Sequence, residues 1–247
     1  MMRIQIITLF PEMVLNLARF GVIGRAIEGG LVELDTLNPS DYSTDPHGRV
    51  DDRPYGGGPG MVMRYEPLQK AIHRARDNEP DSHVVCLSAQ GKLFEQKDVA
   101  RLLAYTNLVL VAGRYEGIDE RLVEAETDEE LSVGDFVVSG GELPAMLLVD
   151  ALIRHVPGAL GHEESARQDS FVDGMLDCPH YTRPGKIDGR EVPEVLLQGD
   201  HQAIERWRQK QALGRTCLRR PDVFAKLDLS EEQKALLEEY LQEHGIQ

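Results

Sequence analysis

The stretch VGDFVVSGGELP, Val133–Pro144, sets the glycine pair Gly140-Gly141 between a short apolar run and a helix start. Glycines at such a junction let backbone amides and carbonyls approach a ligand that side chains would hold off. The spacing is neither GxGxxG nor GxxxxGK[ST], which points away from a dinucleotide or a nucleoside triphosphate. Two further strand-end segments carry glycines: Leu87-Ser88-Ala89-Gln90-Gly91, and GRYEGIDER over Gly113–Arg121. Glu116, Asp119 and Glu120 there also read as ordinary helix-start acids. Capping does not explain glycines on both sides of Arg114-Tyr115. DDRPYGGGPGM, Asp51–Met61, packs four glycines and two prolines among two acids, an Arg and a Tyr. That chemistry suits a binding loop on a rigid scaffold. Arg154, at the end of an apolar helix, reads as a dipole partner or a snorkelling cation. Asp169, in RQDSF, reads as a loop acid. Cys178-Pro-His180 is a metal half-site, but no second Cys/His pair stands at zinc spacing.

Alternating elements must position these residues. Arg3–Phe10, Leu31–Leu37, Val84–Leu87, Leu108–Ala112 and Phe136–Val138 have strand character. Glu12–Phe20, Val22–Glu28, Pro67–Arg76, Phe94–Tyr105, Ile118–Ala125 and Leu143–His155 have helical periodicity. This order predicts a mostly parallel sheet with helices on both faces. Strand ends at Gly91, Gly113 and Gly140 would then meet at one edge, as one pocket. Residues 161–176 read as a flexible interdomain linker. Beyond Asp177 the chain shows no strands, only helices at Val195–Gln198, Gln202–Leu213 and Ser230–His244, the last opened by a Ser230/Gln233 capping box. Domains of 1–160 and 177–247 follow, the second small and all-helical.

The 247 residues carry a formal charge of −15. That argues against indiscriminate nucleic-acid binding but allows a local basic patch. One lies between His201 and Arg220, where Arg206, Arg208, Lys210, Arg215, Arg219 and Arg220 face one acid, Glu205, beside Trp207. Three scattered cysteines, Cys86, Cys178 and Cys217, fit a reducing cytoplasm. No apolar run is long enough to cross a membrane. MMRIQIITLFPEM reads as a first strand, not a signal peptide.

Taken together, these segments closely resemble the bacterial TrmD-type tRNA (guanine-N1-)-methyltransferases of the knotted SPOUT class. The match runs essentially end to end: ITLFPEM, DDRPYGGGPGM, LSAQG, GRYEGIDER, VGDFVVSGGELPAM, DSFVDGMLDCPHYTRP and WRQKQALGRTCLRRP, in that order. The resemblance implies an α/β fold with a deep trefoil knot. It implies methyl transfer from S-adenosylmethionine to N1 of the guanosine 3′-adjacent to the anticodon, position 37, of tRNA. The cofactor would be held by Leu87, Ser88, Gly113, Tyr115, Glu116, Gly117, Ser132, Val133, Gly134, Asp135, Phe136, Val137, Val138, Gly140, Gly141 and Pro144. Asp169 would be the general base for the N1 proton. Arg154 would stabilise negative charge on O6. Tyr55, Gly58, His180, Arg183, Arg208, Arg215 and Arg220 would face the tRNA. The resemblance also implies a homodimer with active sites shared between subunits, and Mg2+, for which Glu116 is the candidate ligand. The segment Gly158–Gln168 would be part of a lid that orders on tRNA.

Departures from the family pattern are small. Phe136 stands where many relatives have Tyr, removing one hydroxyl near the cofactor, and Ala89 stands where they have Pro. Val133 and Val138 replace other aliphatics. Two other readings remain: a knotted RNA methyltransferase with another target, such as a ribose 2′-hydroxyl, and an RNA-binding homologue without activity.

Overall fold

The most apolar run, Asn107–Ala112, is the centre of the sheet, and every residue in it is buried. The structure is a computed structural model that describes residues 1–246 apart from 78, 80 and 162, and not the side chains of 163 and 164. Residue 162, within the expected linker 161–176, therefore lies outside the described residues. The chain forms two compact units, Met1–Glu163 and Glu164–Gln247.

The first unit runs β1 (Met2–Ile7), α1 (Pro11–Leu15), α2 (Gly21–Glu28), β2 (Val32–Leu37), β3 (Asp51–Asp52), β4 (Val62–Met63) and α3 (Tyr65–Arg76). It continues with β5 (His83–Leu93), α4 (Gln96–Leu102), β6 (Asn107–Ala112), α5 (Glu120–Glu126), β7 (Glu129–Ser132) and α6 (Glu142–Ile153). Five strands pair in the order β2-β1-β6-β5-β7, all parallel. One face packs Ile23, Val99, Leu102, Leu148 and Leu152 against Ile4, Ile6, Leu108 and Leu110. The other packs Leu68, Ile72 and Leu122 against Ile7, Val109 and Val111. Helices thus cover both faces, as buried parallel strands require.

Three expectations are corrected here. Phe136–Val138 is not a strand. The ladder ends at Ser132, Gly134 follows at φ +150°, and Phe136 and Val137 are exposed, so nothing buries them in a sheet. Leu87–Gly91 is not a strand terminus either. β5 leaves register after Leu87 and rejoins at Lys92, both opposite Leu131, so Ser88–Gly91 is an excursion within one strand. Gly91 makes it possible, because a Cβ there would lie 2.5 Å from the Glu130 and Leu131 backbone.

The second unit contains α7 (Glu163–Arg167, whose first residue closes the first unit), β8 (Lys186–Ile187), β9 (Arg190–Glu191), α8 (His201–Arg219), α9 (Pro221–Phe224) and α10 (Glu231–Glu243). The antiparallel β8–β9 ladder corrects the all-helical expectation. Its turn is Asp188-Gly189, both at positive φ, the strongest short-range hairpin signal a sequence can carry. The Ser230/Gln233 capping box forms, with both reciprocal bonds present. Packing of α8 on α10 is close: a Cβ on Gly214 would fall 2.1 Å from the Tyr240 ring.

Candidate functional site

A cavity of about 400 Å³ opens beside the excursion in β5 and at the C-terminal ends of β6 and β7. Three chain segments line it: the β5 excursion, the turn after β6, and the connection from β7 into α6. Of the residues expected around a cofactor, Leu87, Ser88, Gly113, Tyr115, Glu116, Gly117, Ser132, Val133, Gly134, Phe136, Val137, Val138, Gly140, Gly141 and Pro144 line the cavity. Asp135 is not among the lining residues. Cys86, Gln90, Arg114, Glu120 and Glu130 line it too, without having been expected to.

Glycine builds the close approaches. At Gly141 a Cβ would meet the Ala112 Cα at 2.6 Å, and the Gly141 amide donates to the Gly113 carbonyl at 2.8 Å. The β7–α6 connection therefore crosses directly over the end of β6. Tyr115 (φ +61°) and Gly117 (φ +137°) turn the backbone after β6. The hairpin β3–β4 braces that turn: Met61 accepts from the Glu116 amide, Met63 donates to Gly117, and Asp119 donates to Met63. In DDRPYGGGPGM, Asp51-Asp52 form β3 and the remainder is the loop of this hairpin, with Gly56, Gly57, Gly58 and Gly60 all at positive φ and Tyr55 fully exposed. A Cβ at Gly60 would strike the Glu116 carboxyl.

The electrostatics of the lining are lopsided. Glu116, Glu120 and Glu130 all contribute, and the one lining cation, Arg114, is matched by the buried Glu142 at 2.7 Å. Burial, with Glu130 and Glu120 adding repulsion, pushes the Cys86 thiol up to about 12, so it is an inert wall. Burial also raises the Tyr115 phenol, with Asp51 adding to it. A cavity with net negative lining and reachable backbone fits a compact cationic ligand of nucleoside size. It fits a divalent metal less well. Among the described residues, the only group of three His, Cys, Asp or Glu donors within metal-binding reach is Asp177, Cys178 and His180, and Glu116 belongs to no such group.

Arg154 is the C-terminal cap of α6 and does not line the cavity. The cavity touches the other end of that helix, at Gly141 and Pro144. A helix from Glu142 to Ile153 spans about 18 Å at ~1.5 Å per residue. Within one chain, then, α6 separates Arg154 from the cavity instead of joining them.

Asp169 lies in the second unit. It lines a pocket of about 170 Å³ with Asp173, Asp177, Cys178, His180 and Arg208. A tight turn shapes it: Phe171, at φ +74°, donates to the Met175 carbonyl, and the Asp177 amide donates to Ser170 Oγ. Burial opposes ionisation of Asp177. Hydrogen bonds from His180 (2.7 Å) and the Cys178 amide nevertheless hold its carboxyl below the usual range. Burial and Asp177 push the Cys178 thiol up to about 11.

The basic patch is less free than its composition suggests. Arg206 is bonded to Glu239, Lys210 is buried against Glu243, and Arg220 is bonded to Asp222 while lying over the Phe171 ring. Arg208 approaches Glu205 only at 4.0 Å. Among the described residues Arg183, Arg215 and Arg219 carry no ion pair. The partners of Arg206 and Lys210 sit on α10, 33 residues along the chain and beyond the reach of local patterning, whereas Asp222 is two residues from Arg220. Tyr55 and Gly58 belong to the first unit, the other residues expected to face tRNA to the second.

A family model described as tRNA (Guanine-1)-methyltransferase TrmD matches residues 2–226. The tRNA (guanine-N(1)-)-methyltransferase of Halorhodospira halophila is 60% identical, across 98% of this chain and 92% of that protein. Its counterpart in Marinomonas sp. is 55% identical, across 98% and 97%. That of Cronobacter sakazakii is 55% identical, across 100% and 96%.

Proposed function

The chain belongs to the tRNA (guanine-1)-methyltransferase TrmD family and methylates N1 of guanine in tRNA; on that premise we propose that S-adenosylmethionine is the donor and the guanosine at position 37 the target. The observation that carries the donor assignment is the acid-lined, backbone-walled cavity. Its Glu116, Glu120 and Glu130 suit a ligand bearing a sulfonium and an ammonium, and its glycines let the backbone grip it. When bound, the donor supplies an electrophilic methyl group.

The chain's own residues supply the rest. Guanine N1 carries a proton and is a poor nucleophile until that proton leaves. Asp169 accepts it, from a polar pocket that it shares with Arg208 and His180. Negative charge then builds on O6, where the Arg154 guanidinium stabilises it. Glu116 belongs to the cation-binding wall, and no step is assigned to magnesium.

Arg154 and the cavity lie at opposite ends of α6, which supports a homodimer whose active sites draw on both subunits. Leu143 and Leu147, one turn apart on α6, are exposed, as are Phe10 beside α1 and Phe20 before α2. Such an apolar surface suits a second copy of the chain. The close crossing of Gly140-Gly141 over the end of β6 supports the trefoil knot. Residues 161–176 would act as the lid, and 177–247 as the tRNA-binding domain, with Arg183, Arg208 and Arg215 contacting phosphates and Tyr55 a base or sugar. No helix among the described residues is long and apolar enough to cross a membrane. A tRNA substrate and three free cysteines fit the cytoplasm.

The test is incubation with labelled S-adenosylmethionine and a tRNA transcript carrying G37, followed by mapping of the product. N1-methylguanosine at position 37 is expected. Label on a ribose would favour the other knotted-enzyme reading, and donor binding without transfer would favour an inactive homologue.

A further inference from the structure

The buried Glu142 makes no contact with the cavity, yet it holds the cavity's one cation. It opens α6 with no exposed surface, accepts from Thr8 Oγ1 at 2.9 Å, and accepts from Arg114 Nε at 2.7 Å. Arg114 also donates to the Ser139 carbonyl at 3.1 Å, and the Phe10 ring covers it at 4.4 Å. Gly140 leaves the passage open: a Cβ there would lie 2.2 Å from Arg114 Nε. The exit of β1, the exit of β6 and the entry to α6 are thus tied at one point. A carboxylate removed from water is tolerated only when paired, and the α6 N-terminus adds to that pairing.

We infer that Glu142 is a specificity-determining residue: by neutralising Arg114 inside the cavity, it lets the site prefer a positively charged methyl donor over the neutral product left after transfer. The inference rests on the reading of this cavity as the S-adenosylmethionine site. S-adenosylmethionine and S-adenosylhomocysteine differ by one methyl group and one positive charge. Their affinity ratio therefore reports the charge of the lining and little else. Without Glu142 the lining would keep an unmatched guanidinium. At an effective dielectric of about 20 and a separation of about 10 Å, one such charge corresponds to a change of roughly tenfold in affinity for a monocation. The neutral product would be almost unaffected by that term. Glu142 acts through Arg114 and is a positioning residue, not a catalytic one.

Calorimetric titration of the full chain with each of the two ligands tests this. In Glu142→Gln, which keeps one oxygen to accept from Arg114 and turns its amide nitrogen to donate to Thr8 Oγ1 but loses the charge, S-adenosylmethionine should weaken about tenfold more than S-adenosylhomocysteine. In Arg114→Gln, and in the double variant Arg114→Gln/Glu142→Gln, the wild-type ratio should be kept or raised, whatever happens to absolute affinity. A purely structural role would weaken both ligands alike in Glu142→Gln, and that result overturns the inference. So does a collapsed ratio in Arg114→Gln, which decides the matter even if Glu142→Gln fails to fold. Wild-type protein that binds neither ligand would remove the methyl-donor reading itself, and the inference with it.

Discussion

The cavity rim of the first unit and the α8 surface of the second are built from opposite materials. The rim depends on atoms that are missing: Gly91, Gly140 and Gly141 have no Cβ because another strand or a guanidinium occupies that space. The α8 surface depends on side chains, and Arg206, Lys210 and Arg220 are each committed to a carboxylate. A site made by backbone tolerates no addition. A site made by side chains tolerates additions but is sensitive to loss of charge. The two therefore fail differently, and the contrast can be tested.

The largest effect is expected at the chemistry itself. Asp169→Asn should lower single-turnover methylation by about 10²–10⁴-fold, the range for loss of a general base. Calorimetric affinity for S-adenosylmethionine should be unchanged, and a near-wild-type rate would remove Asp169 from that role. Next comes the rim. Gly141→Ala places a Cβ 2.6 Å from the Ala112 Cα, where only backbone can yield. It should cost about 1–3 kcal/mol of stability and abolish measurable donor binding. Gly214→Ala is its counterpart in the second unit, striking the Tyr240 ring. A similar stability loss of about 1–3 kcal/mol is expected, but with donor affinity intact and tRNA affinity reduced. If both variants lose donor binding, the two regions are not independent.

Smaller effects come from single charges. Arg215→Ala should weaken tRNA binding and reduce the slope of log affinity against log salt by about one. Arg206→Ala, whose charge is already matched by Glu239, should change that slope less. The smallest effect is pH-dependent. The Asp177 carboxyl titrates below its usual range in the folded protein, so its contribution is complete above the unfolded value of about 3.9. That contribution fades as pH falls through the folded value. Wild type should exceed Asp177→Asn in stability by about 0.2–1 kcal/mol at pH 5–7. The gap should close in acid unfolding below about pH 4.

Much of this was legible in the chain. The alternation of apolar runs and 3.6-residue periodicity announced the parallel sheet, because strands buried on both faces must read as β-branched runs. The Gly-rich segments at 87–91, 113–117 and 140–141 announced a backbone-lined pocket. Asp188-Gly189 carries a hairpin signal too, in a unit whose periodic segments are helical. Phe136–Val138 misled because β-branched and aromatic composition scores as strand whether or not anything covers it.

What the sequence by itself determined is the set of local conformations: where the chain turns left-handed, where it alternates, where a helix is capped. Those depend on residues within a few positions of one another. Tertiary structure alone decided that Glu142 would meet Thr8 and Arg114, and that Lys210 would meet Glu243. It also set Arg154 at the far end of α6 from the cavity. Each of these joins or separates positions distant along the chain, and such distances are fixed only when the sheet order and helix packing bring remote segments together.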